Sequence, residues 1–96
     1  MTKQPDLNVK EIADLEKVTL NAINKGQKTR VKILLNRAEN VFIEGNEYTR
    51  LLVANKFILP LSQLLEVNYN WGREYLNLFP QQLKAEYCRQ INSSGI

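Results

Sequence analysis

Apolar side chains return every three or four residues through the first half of the chain. Val9, Ile12, Ala13, Leu15, Val18, Ala22 and Ile23 keep that spacing, which is the period of a helix with one buried face. It predicts a helix over 8–24, with Asp6 or Asn8 placed to cap its start. Gly26 follows the last periodic residues, where a helix commonly ends. After a short turn the pattern resumes more strongly, with Val31, Leu34, Ala38, Val41, Gly45, Tyr48 and Leu52 in alternating steps of three and four and Leu35 and Phe42 widening the stripe. Because Tyr48 and Leu52 keep phase with Val31 and Leu34, this register predicts one long helix from about residue 28 to about residue 57. Gly45 would cost such a helix roughly 1 kcal/mol against alanine. A glycine on the apolar face offsets part of that by letting another backbone come close. The alternative places Gly45 as a C-cap and Asn46 as the N-cap of a separate helix.

Pro60 disfavours a helical residue before it and suits a first turn. A third helix is therefore expected from Pro60 to about Tyr69 on Leu61, Leu64, Leu65 and Val67. Gly72 and Pro80 punctuate the remainder, so residues 73–78 and 81–90 read as two short helices or as one helix kinked at Pro80. No segment combines strand alternation with hairpin turn residues. These elements predict an all-α fold of about four helices: an antiparallel hairpin with a long second helix, closed by shorter C-terminal helices. Residues 1–7 are expected to be a flexible N-terminus, 8–91 one helical domain and 92–96 a flexible tail.

Composition then narrows the chemistry. The 96 residues are 44% hydrophobic and 24% charged, as in a folded globular domain rather than a disordered chain. Histidine is absent and Cys88 is the only cysteine. That removes the commonest general base, the serine–histidine and cysteine–histidine nucleophile pairs, and the usual zinc ligand sets. No phosphate-binding glycine loop and no calcium loop appears. The reading is a protein with no catalytic activity, no cofactor and no metal. Cys88 is expected to be a buried, inert thiol. Neither a signal-peptide pattern nor a bilayer-length apolar run is present, so the expected location is the cytoplasm, with no membrane partner.

Two stretches carry candidate binding chemistry. Residues 25–37, KGQKTRVKILLNR, hold the five cations Lys25, Lys28, Arg30, Lys32 and Arg37 and no acid, against a net charge of +3 for the chain. At about 100° per residue, Lys28 and Lys32 flank one edge of the apolar stripe while Arg30 and Arg37 flank the other. Charges in those places fit the rim of a helix seam. A helix that reads nucleic acid gathers its cations on the face turned away from the core. The helix-turn-helix pattern that Ala22 and Gly26 suggest also fails, since its apolar positions fall on Asn21, Lys25 and Lys32. The second stretch is aromatic: all eight aromatic residues lie from Phe42 onward. Trp71, Arg73 and Tyr75 are the residue types that dominate interface energy, although large aromatics also close the end of a helical hairpin. Part of the long stripe should also outrun the first helix, which marks Gly45, Tyr48 and Leu52 as an oligomer interface. The functional expectation is a small, self-associating interaction module, a regulator or adaptor that binds another protein and forms a homodimer or higher homo-oligomer. The alternative is a small nucleic-acid-binding regulator that uses the basic stretch.

Overall fold

The chain starts its first helix with a reciprocal pair of hydrogen bonds. The Asn8 side chain accepts from the Glu11 N–H at 2.8 Å, and the Glu11 carboxylate accepts from the Asn8 N–H at 3.0 Å, satisfying two donors that a helix N-terminus leaves open. This is a computed structural model that describes residues 8–94. Within it the helices are α1 (Val9–Asn24), α2 (Lys28–Glu44), α3 (residues 47–67), α4 (Tyr69–Leu76) and α5 (Gln81–Ser94). Helix α3 is continuous but not uniform: Glu47–Val53 and Leu59–Val67 are α-helical, and Ala54–Ile58 between them is a π turn. The described residues hold five helices and no strand, so the all-α class stands and the count is one above the expected four.

Gly26 closes α1 in the left-handed conformation (φ 69°), and the Gln27 N–H reaches back to the Ala22 carbonyl at 3.0 Å. This is the six-to-one bond of a glycine-terminated helix, and it folds α2 back along α1. Leu15 and Val18 lie beside Leu34, and Glu11 beside Arg37, which is the antiparallel order of a hairpin.

The long second helix is not formed. Helix α2 stops at Glu44, Gly45 is extended (φ −75°, ψ 162°), and the Asn46 side chain accepts the Thr49 N–H at 2.8 Å to begin a new helix. A β-carbon on Gly45 would stand 2.6 Å from Thr49 Cγ2 and 2.7 Å from the Val41 carbonyl oxygen, so the tight corner requires glycine for space. Leu52 still faces the core beyond the break, but Tyr48 turns to solvent and Thr49 takes the inward place. Pro60 also departs from expectation, since it sits inside α3 instead of starting a helix. A proline ring in a regular helix collides with the carbonyl one turn back. Here the turn before it is widened, and the Leu59 N–H bonds five residues back to the Ala54 carbonyl.

Helix α3 is the centre of the molecule and packs against the other four helices. Val53, Phe57, Leu61 and Leu65 repeat every four residues along it and are almost wholly buried, among Ile12 and Ile23 of α1, Val31, Leu35 and Ala38 of α2, Leu76 of α4 and Leu83 of α5. Thr19, which the apolar pattern passes over, is buried too, its hydroxyl donating to the Leu15 carbonyl at 2.8 Å. Gly72, read from sequence as a break, lies within α4. A β-carbon there would fall 2.1 Å from the Leu65 carbonyl oxygen, so glycine lets α4 lie directly on the backbone of α3. Helix α5 is tied at both ends. The Gln82 N–H donates to Glu39 of α2 at 2.7 Å, and the Gln90 amide donates to the Ala54 carbonyl in the π turn at 3.0 Å. It runs to Ser94, into the segment expected as a tail from residue 92. Residues 1–7 and 95–96, where the flexible ends were placed, lie outside the described residues.

Candidate protein-interaction surface

The α1–α2 turn and α4 meet, and their meeting brings together two candidate regions that are more than 30 residues apart in sequence. Ile23, Asn24, Gly26 and Lys28 from the turn face Trp71, Glu74 and Tyr75 from α4 across a cleft of about 290 Å³. Its floor is apolar: Ile23 and Tyr75 are buried. Trp71 stands over it at 41% exposure, edge-on to Tyr75 with ring centroids 6.1 Å apart. An ion pair between the Lys28 ammonium and the Glu74 carboxylate closes one rim. The Lys28 hydrogen bond and charge hold the Glu74 carboxyl below its ordinary value, and Glu74 raises the Lys28 ammonium correspondingly. A second hollow, lined by Gly26, Gln27, Lys28, Thr29, Arg30 and the exposed Ile33, continues from the cleft along the first turns of α2.

Of the five cations expected to rim the second helix, all are exposed. Lys28 is engaged by Glu74, whereas Lys25, Arg30, Lys32 and Arg37 make no ion pair with any described residue. Arg73 is exposed beside Trp71, while Tyr75 is a core residue, so the expected triplet divides between surface and interior. The aromatic segment divides the same way. Phe79 is buried and stacks edge-on with Tyr87 at 5.9 Å, and Tyr69 is exposed. The Tyr87 hydroxyl donates to Glu66. Burial first, and then this bond, raise its pKa.

The expected oligomer interface needs correction at two positions. Leu52 is buried in the core and Gly45 is confined to its corner, whereas Tyr48 is 62% exposed and its neighbour Leu51 is 55% exposed. The error follows from the break at Gly45, since a new helix sets its own phase and turns Leu51 outward. Ile43, Glu44 and Glu47 are exposed around the same corner. Near the α3–α4 junction Val67 is 83% exposed, a position that sequence reasoning assigned to the apolar stripe of the third helix. Cys88 is exposed, against the expectation of a buried thiol, because it lies on the outward face of α5 while Leu83 and Tyr87 turn inward.

Among the described residues no group of three or more His, Cys, Asp or Glu side chains is gathered as a metal site. No helix among them is long and apolar enough to cross a membrane. Neither the curated proteins nor the solved structures contain a match to this chain. A family model matches residues 2–93, nearly the whole length, and the chain belongs to that family, described as a domain of unknown function (DUF7674).

Proposed function

We propose that this chain is a small cytoplasmic protein-interaction module, a regulator or adaptor that self-associates, binds other proteins and performs no catalysis. The observation that carries this reading is the pair of exposed apolar and aromatic surfaces on so small a folded unit, Trp71 with Ile33 beside the α1–α2 turn and Tyr48 with Leu51 at the α2–α3 corner. Scattered surface leucines need no explanation. Grouped aromatic and aliphatic side chains bordered by charge are the anatomy of a contact surface. The lack of histidine and of any clustered acid or thiol among the described residues supports a binding role over a chemical one.

Light scattering at micromolar concentration tests self-association, and capture from the source lysate before and after nuclease treatment tests for a protein partner. The reading predicts a mass above 11.1 kDa and a retained protein that survives nuclease. A monomer that captures nothing after nuclease would refute it. A second reading, a nucleic-acid-binding regulator, is favoured by the four cations that lack an ionic partner among the described residues. It predicts capture that nuclease abolishes.

A further inference from the structure

The two exposed surfaces lie at opposite ends of α2 and carry opposite charge. Beside the α1–α2 turn, Trp71 and Ile33 are accompanied by Lys25, Arg30 and Lys32. At the far corner, Tyr48 and Leu51 are accompanied by Glu44 and Glu47, neither of which pairs with a cation among the described residues, while the neighbouring Arg50 guanidinium is laid over the Phe42 ring and donates to the Phe42 carbonyl. Neither surface suits itself. Two basic clefts face to face would set cation against cation, two acidic corners carboxylate against carboxylate, and like charges across an interface are costly. Each suits the other in both charge and apolar character.

We infer that self-association is head to tail: the Tyr48–Leu51 corner of one copy docks in the cleft between the α1–α2 turn and α4 of the next. Tyr48 and Leu51 lie at i and i+3 on one helix face and enter as a pair, over the floor formed by Ile23 and Tyr75 and against the Trp71 ring. Glu44 and Glu47 then meet Arg30 and Lys32, while Lys28 stays on Glu74. This inference rests on the self-associating module proposed above and fixes the geometry of its contact. A contact between two different patches leaves one of each free at the ends, so growth continues to a ring or an open chain rather than stopping at a two-fold dimer.

Mixing two interface variants tests the geometry. The cleft variant is Arg30→Gln with Ile33→Ser, and the corner variant is Glu47→Gln with Tyr48→Ala; all four positions are exposed, and circular dichroism checks that both variants fold. Each alone should lose at least about thirty-fold in association, the effect of removing an interface anchor. An equimolar mixture should recover a species of twice the monomer mass and stop there, because its single intact cleft holds its single intact corner. Trp71→Ala should associate weakly alone and, mixed with the corner variant, should recover the same species as the first pair, because its unaltered corner meets the corner variant's intact cleft. Persistent self-association in either variant alone, or a mixture that stays monomeric, overturns the head-to-tail contact even if the wild type associates. A wild type that never exceeds 11.1 kDa overturns the self-association reading itself.

Discussion

Gly72 shows how much one missing methyl group decides. Alanine at this helical position would gain about 1 kcal/mol in intrinsic propensity. Its β-carbon would nevertheless lie 2.1 Å from a backbone oxygen of α3, which has no rotamer with which to yield. Overpacking of this kind costs about 1–3 kcal/mol or more, so Gly72→Ala should lower stability by about 2 kcal/mol in denaturant titration; an unchanged or raised midpoint would contradict the close approach. Charge acts at the same scale. The Arg89 guanidinium, donating to Glu86 at 2.9 Å, holds the Glu86 carboxyl below its ordinary 4.5. A carboxyl depressed in the folded state adds stability above its unfolded value and gives it up as pH falls through the folded value. Glu16 has the opposite sign: burial raises it, so it opposes folding when ionised and ceases to do so once protonated. Glu86→Gln should therefore flatten the loss of stability below about pH 4.5, measured as unfolding midpoints across an acid series, and Glu16→Gln should raise the midpoint at neutral pH.

The elements are held by caps and corners as much as by their apolar faces. Asn46 begins α3 by accepting the Thr49 N–H, while the Arg50 guanidinium donates to the Phe42 carbonyl at 3.0 Å and lies 4.3 Å from the centre of its ring. The corner thus satisfies both the end of one helix and the start of the next. Asn46→Ala should cost about 1 kcal/mol, the usual worth of an N-cap, and Gly45→Leu should cost more, because its side chain would meet Thr49 and the Val41 carbonyl. Equal stability of Gly45→Leu and wild type would restore the single long helix. This corner also shows why sequence reasoning went wrong there. Apolar spacing reports which face is buried, and a bend that keeps Leu52 inward leaves most of that spacing intact. The caps Gly45 and Asn46 were legible in the chain, but their weight against the continuing stripe depended on the packing of Thr49.

For the whole molecule, what could be read from the sequence was the helical class, the hairpin and much of the core, because Ile12, Val31, Leu35, Phe42, Leu61 and Leu65 declare themselves by period. What could not be read was which distant segments share a surface. Nothing in the spacing of Lys28 and Trp71 announces that they line one cleft; that follows from α4 lying on α3, and so from Gly72. The resulting charge layout makes a further prediction. If Arg30 and Lys32 serve protein contacts, duplex DNA should bind weakly and be released well before physiological salt. A phosphate-gripping surface would instead show a log–log salt slope of about three or four, lowered by roughly two in Arg30→Gln/Lys32→Gln.

The π turn gives α3 one residue more than a regular helix needs to cover the same length. Removing one exposed residue there, Asn55, would let Ala54–Ile58 close into ordinary α-helix while the residues beyond it keep their orientation. Leu61 and Leu65 would still face the core, but Pro60 would press on the turn behind it. Such a deletion should leave helix content nearly unchanged in far-ultraviolet circular dichroism while lowering stability by about 3 kcal/mol in denaturant titration, the cost of a proline inside a regular helix. The extra residue is thus what makes room for a proline in the middle of the central helix.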